Sequence, residues 1–113
     1  MKRFPSIKKN SDFQYIYRNG KSYANRLLVM YVVRSGGEAN SIGISVSKKV
    51  GNSVVRSRIT RLLRESYRLS ESKFLAGYDI VVIARASAKE ATYREVESAL
   101  MHLLNKQKLI KSE

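Results

Sequence analysis

The chain has 113 residues, enough for one hydrophobic core and too few for two. With 22 Lys and Arg against 9 Asp and Glu it carries a net charge of +13, yet 43% of it is hydrophobic, so this is a basic chain that folds, suited to RNA or DNA rather than to a membrane or an acidic protein. It has no cysteine, no apolar run near the length of a membrane span and no signal-peptide core in its first nine residues, which excludes disulfides and thiolate catalysis and places it in the cytoplasm.

Residues 1–9 are basic and irregular, with Pro5 opposing an early helix. Ser11 and Gln14 have the spacing of a capping box, and Phe13, Ile16 and Tyr17 follow at i, i+3 and i+4 on a short helix that Asn19-Gly20 stops. An aromatic stripe at that spacing is more often core than binding surface. Residues 21–26 are polar and suit a short edge strand. The continuous apolar run 27–33 predicts a strand buried on much of both faces. Gly36-Gly37 marks a loop over 34–40. Residues 41–47 alternate strictly, with Ile42, Ile44 and Val46 on one face and the small Gly43, Ser45 and Ser47 on the other, leaving room for something to lie against the sheet.

Gly51 and Asn52 break that alternation, and Asn52 or Ser53 suits an N-cap. From there, at about 100° per residue, Val55, Ile59, Leu62 and Leu63 share one sector. Ser57, Arg61, Arg64 and Arg68 gather opposite, with Arg56 and Arg58 on the flanks. Together with Lys48 and Lys49 the stretch 48–68 is basic throughout, Glu65 being its only acid. A merely solvated helix interleaves both signs at i, i+4. A face of one sign repels itself, and Arg offers forked hydrogen bonds to phosphate, so the pattern points to nucleic acid.

The helix should end near Ser70. Gly77 leads into a third strong strand, 78–84, and 85–91 reads as a loop. Thr92 and Glu95 form a second capping box, after which Tyr93, Val96, Leu100, Leu103 and Leu104 trace the inner face of a last helix. The tail from Lys106 is expected to fray. The order α-β-β-β-α-β-α predicts a single α+β sandwich domain over residues 1–113 with one mixed four-stranded sheet. Strand 41–47, the basic helix and strand 78–84 make a βαβ crossover, right-handed by default.

Catalytic chemistry finds little support. His102 is the sole histidine and sits beside the last apolar stripe, a surface or boundary position. The acidic residues are scattered, with no acid–base pair and no cluster for two metals. Gly51-Asn52 precedes a helix but lacks P-loop spacing. The polypeptide therefore binds RNA or DNA and carries neither catalytic residue nor metal site.

The stretch K-K-V-G-N-S-V-V-R-S-R-I-T-R-L-L-R-E resembles the signature of the bacterial ribonuclease P protein subunit. The blocks I-K-K-N-S-D-F-Q-Y-I-Y, A-N-R-L-L-V-M-Y, I-G-I-S-V-S-K-K and D-I-V-V-I-A-R follow the family's order and cover most of the chain. The resemblance implies a small α+β fold whose crossover is left-handed, against the default. It implies that a large RNA is the catalyst, using Mg2+ to hydrolyse precursor tRNA and release its 5′ leader, and that the protein's side chains bind no cofactor. It assigns Lys48, Lys49, Asn52, Arg56, Arg58, Arg61, Arg64 and Arg68 to the catalytic RNA. Phe13, Tyr17 and Tyr31 would line a cleft for the single-stranded leader over the small residues of strand 41–47, with Arg85 reaching its phosphates. That moves the aromatic stripe from core to cleft and leaves Ile16 in the core.

The implied partners are ribonuclease P RNA and precursor tRNA, with no membrane and no DNA. Two positions depart from the family: Ser57 stands where an asparagine usually separates two arginines, and Thr60 where a basic residue is common. Serine keeps a hydroxyl but loses the amide's paired donor and acceptor. A ribosomal or other basic RNA-binding protein would share the charge but not the ordered blocks. A DNA-binding regulator would need a docking helix just before the basic one, where this chain has a strand.

Overall fold

A computed structural model describes residue 7 and residues 10–111. The elements are α1 (Asn10–Asn19), β1 (Lys21–Ala24), β2 (Leu28–Arg34), β3 (Ser41–Ser45), α2 (Ser53–Ser70), β4 (Tyr78–Ala84) and α3 (Tyr93–Lys106), with 3-10 turns at Glu71–Lys73 and Ala86–Glu90. The sheet runs β1-β2-β4-β3. β2 is antiparallel to β1 and β4, and β3 is parallel to β4, so the sheet is mixed as the sequence predicts.

Strand alternation divides the sheet into two unlike faces. On one, Leu28, Met30, Val32, Ile42, Ile80, Val82 and Ala84 form a single buried cluster with Ile59, Leu63 and Tyr67 of α2 and Val96, Leu100, Leu103 and Leu104 of α3. The register places Val29, Tyr31 and Val33 of β2, Ile83, Val81 and Asp79 of β4, and Ser45, Gly43 and Ser41 of β3 in rows across the other face. α1 packs there through Ile16, which like Val81 is fully buried yet outside the main cluster, and Ile7 lies beside Gly43 with its N–H donating to the Ile42 carbonyl at 2.9 Å. Gly20 closes α1 by donating its N–H to the Ile16 carbonyl at 2.7 Å. A Cβ at Gly20 would stand 2.5 Å from that oxygen, so glycine is required for so close a turn.

Several expectations are corrected. α1 starts at Asn10, so Ser11 lies inside its first turn rather than at a cap. β2 is not buried on both faces: Leu28, Met30 and Val32 are buried, while Val29, Tyr31 and Val33 are half-buried because the short α1 covers only part of their side. β3 ends at Ser45 rather than Ser47, since the Ser47 carbonyl accepts from the Val50 N–H in a turn that carries Val50 into the core. The segment after β4 forms a 3-10 turn, not a loop. The tail does not fray before Lys111. Leu109 is buried, Ile110 bridges Phe74, and the Lys111 N–H donates to the Lys73 carbonyl. The caps at Asn52 and at Thr92 with Glu95 stand as predicted. Among the described residues no helix is long and apolar enough to cross a membrane.

Candidate nucleic-acid interface

The half-covered sheet face is a cleft with an aromatic wall. Helical spacing puts Phe13 and Tyr17, four residues apart, together on one flank of the buried Ile16. Their ring centroids are 6.2 Å apart, and Tyr17 meets Tyr31 of β2 edge-on at 5.1 Å, so the three rings form a row. All three are half-buried. The Phe13 ring rests on Gly43: a Cβ there would lie 2.8 Å from its Cε1 and Cζ. The floor is thus small because a ring occupies the space. Burial pushes the Tyr17 phenol up, a hydrogen bond with Ser45 partly offsets this, and neighbouring Tyr31 adds to the rise. Odd-numbered β4 residues share this face, and Arg85 follows Ile83 just past the strand's end. Its Nη1 donates to the Asn25 carbonyl at 3.0 Å.

The basic segment divides into anchored and outward cations. Lys48 and Lys49 are exposed on the turn before α2. Asn52 accepts from the Val55 N–H at 3.0 Å, so its Oδ1 is committed to the cap. Arg56 is half-buried, and its carbonyl accepts from the Thr60 hydroxyl at 2.9 Å, which occupies Thr60 within the helix. Arg58 turns away from the outward row: its guanidinium donates to the Lys89 carbonyl at 3.4 Å and the Ala91 carbonyl at 2.5 Å, tying α2 to the turn before α3. Arg68 pairs with Glu65 at 2.5 Å, which holds the Glu65 carboxyl below its ordinary range. Arg61 and Arg64 are exposed and, among the described residues, make no hydrogen bond or ion pair. Ser57, also exposed, shares their side of the helix.

The structure therefore gathers Phe13, Tyr17 and Tyr31 in one cleft and spreads the basic residues over the start and outer face of α2. Among the described residues no three His, Cys, Asp or Glu side chains come together to hold a metal ion. Sequence reasoning overlooked Asn25. Its Oδ1 accepts from the Leu27 and Leu28 N–H groups, its Nδ2 donates to the Ala99 carbonyl, and its own carbonyl holds Arg85. The only sequence signal was an Asx-turn residue between two strands, which is too common to single out.

The chain matches the Ribonuclease P family over residues 1–108. A ribonuclease P protein component from Alkaliphilus metalliredigens is 59% identical over 104 residues, covering 92% of this chain and 94% of that protein. One from Lachnoclostridium phytofermentans is 56% identical over 107 residues, covering 95% and 92%. The solved RNase P protein of Staphylococcus aureus aligns with a TM-score of 0.88 at 41% identity, over 96% of this chain and 100% of that one. That of Thermotoga maritima aligns with a TM-score of 0.84 at 28% identity, over 97% and 100%. Sequence and fold agree along nearly the whole length, and the chain belongs to the family of ribonuclease P protein components, accessory subunits of the ribonuclease P endoribonuclease.

Proposed function

We propose that this chain binds a catalytic ribonuclease P RNA through the basic segment and holds the 5′ leader of precursor tRNA in the α1 cleft, in the cytoplasm. The observation that carries this reading is the row of half-buried rings, Phe13, Tyr17 and Tyr31, over the Gly43 floor. Unpaired bases stack on such rings whatever their sequence, as a subunit that serves many precursors requires. Lys48, Lys49, Arg56, Arg61, Arg64 and Arg68, with the Asn52 amide, supply the contacts to the catalytic RNA. Arg58 contributes mainly by fixing α2 against the 86–91 segment. Arg85, held on Asn25, meets leader phosphates at the end of the cleft. Mg2+ serves the RNA component, and neither DNA nor a membrane is a partner.

Reconstitution tests the division of labour. Rigorously RNA-free protein should leave precursor tRNA uncut, whereas protein with the catalytic RNA should cleave it at lower Mg2+ than the RNA alone. Metal-dependent cleavage by the protein alone would overturn the reading. In the same assay Arg61→Ala with Arg64→Ala should weaken binding to the catalytic RNA and flatten log K against log salt by up to about one unit per lost phosphate contact. Helicity should hold, because alanine favours a helix.

A further inference from the structure

Outside the cleft and the basic helix, a cavity of about 380 Å³ opens between the turn joining β1 to β2 and the outer side of α3. That volume is within the range of about 300–1,000 Å³ typical of small-ligand sites. Leu27 and Ala99 line its apolar part, and Arg26, Arg94 and His102 stand around it. The single carboxylate, Glu95, is 3.6 Å from the Arg26 guanidinium and is also engaged in capping α3. The cavity thus combines an apolar wall with a cationic surround, as a base with its phosphate would require.

Its construction fixes the donors. Asn25 Oδ1 accepts from two backbone N–H groups at 3.1 and 2.9 Å, so the amide cannot be reversed and its Nδ2 must face His102 Nδ1, 3.2 Å away. An amide N–H donates, so Nδ1 must accept, and the imidazole carries its proton on Nε2. His102 is held as an Nε2–H donor beside Arg94. The same Asn25 holds Arg85 at the end of the leader cleft. The cavity and the Arg85 end of the cleft therefore share one residue, Asn25, whose side chain faces the cavity and whose backbone carbonyl holds Arg85.

We propose that this cavity takes one nucleotide of the precursor's leader beyond Arg85. Its base lies against Leu27 and Ala99, and its phosphate is met by Arg94, His102 Nε2–H and Arg26, which exchanges Glu95 for the phosphate. This rests on the leader-binding reading above. It extends the protein's grip past the aromatic cleft to a second site on another part of the fold.

The test uses reconstituted holoenzyme and precursor tRNAs whose leaders are shortened stepwise, with mature tRNA as the zero-leader control. Ala99→Leu fills the cavity, and Arg94→Gln removes a cation at an exposed position that should not disturb folding. Each variant should lose about tenfold in affinity for the long-leader precursor, the order of one stacked base. Neither should change affinity for short-leader precursor, mature tRNA or the catalytic RNA. If wild-type holoenzyme favours long leaders and both variants keep that preference, the cavity proposal falls while the cleft stands. If both variants lose affinity for the catalytic RNA itself, the pocket belongs to that RNA and the proposal is overturned. If wild-type holoenzyme binds precursor and mature tRNA alike, the leader reading fails and this one with it.

Discussion

The two faces of the sheet are made by the same strands and differ in what covers them. On the α2–α3 side, aliphatic residues of β2, β3 and β4 meet two long helices and water is excluded. On the α1 side a ten-residue helix covers only the middle, burying Ile16 and Val81 and leaving Tyr31, Val29 and Ile83 half-exposed. The first face stabilises the fold. The second gives up part of that burial, at roughly 25 cal/mol per Å² of apolar surface left wet, and keeps rings and small residues accessible to a ligand. A chain of +13 also repels itself, a cost that burial on the packed side must offset.

The largest contrast is expected from matched truncations. Leu103→Ala, on the packed face, should cost about 2–5 kcal/mol in urea unfolding and leave tRNA discrimination unchanged in any holoenzyme that assembles. Phe13→Ala should fall short of the about 3–5 kcal/mol of a buried phenylalanine. It should instead weaken precursor binding by about 1–3 kcal/mol per stacked base lost, with mature tRNA bound as before. Equal weakening of both tRNAs would return Phe13 to the core and remove the distinction between the faces.

Gly43→Ala sharpens the comparison from the floor. Its new methyl would meet the Phe13 ring at 2.8 Å and Ile7 Cβ at 3.1 Å, so the ring must swing outward. Because that side is half-open, the stability loss should lie near the low end of the overpacking range, about 1 kcal/mol. Long-leader affinity should fall about tenfold as the ring row is disrupted. A full overpacking loss of about 3 kcal/mol with unchanged affinity would mean that Phe13 is locked as core.

How legible this was in the sequence depended on the length of chain that carried each signal. Helix periodicity placed Ile59, Leu63, Leu100 and Leu104 inward, and alternation gave the β3 face with Gly43, because each pattern recurs several times within one element. The continuous run 27–33 hid its own alternation: every residue is apolar, so nothing local says that Val29, Tyr31 and Val33 meet one short helix instead of two long ones. Arg58 falls on the flank of the helix, where nothing local tells an anchored cation from a surface one, and only the fold brings the Lys89 and Ala91 carbonyls to it. The Leu109–Ile110 anchor was missed because basic neighbours masked two apolar residues. The cavity beside Asn25 joins residues more than 70 positions apart, a separation at which single-sequence patterns carry no information.

On the packed face, Tyr67 offers a pH test. Burial pushes its phenol up to about 12 from 10.0, with a hydrogen bond from the Asn40 side chain working in the opposite direction. The folded state therefore keeps a proton that the unfolded chain gives up above pH 10, so stability is full below that value and falls as pH rises toward 12. The fall attributable to this residue is about 2–3 kcal/mol. Tyr67→Phe should flatten that limb relative to wild type, measured as urea midpoint against pH, while losing about 1 kcal/mol at neutral pH with its hydroxyl's hydrogen bond. Parallel curves would place the phenol in water and open the packed face.

The smallest effect belongs to the cleft side, where Asp79 lies in the same row as Ser41 and Val33. Burial raises its carboxyl pKa, a hydrogen bond with Ser41 lowers it, and the charge of Asp12 raises it again. In a chain of +13 a carboxylate should on average be favoured, and here local burial and one like charge act against that preference. The sign follows: the folded state holds this proton more tightly, so its contribution to stability is full below the unfolded pKa and is lost as pH rises through the folded one. Asp79→Asn removes that loss and keeps an oxygen for Ser41. Because the carboxyl is partly exposed and screened by solvent, the variant should gain no more than a few tenths of a kcal/mol over wild type at pH 7 and none at pH 3. Asp12→Asn should give part of the same gain by removing the repulsion alone. If Asp79→Asn is instead less stable at pH 7 than at pH 3 relative to wild type, the net positive field governs this edge of the cleft, and the two faces differ in coverage but not in their local electrostatics.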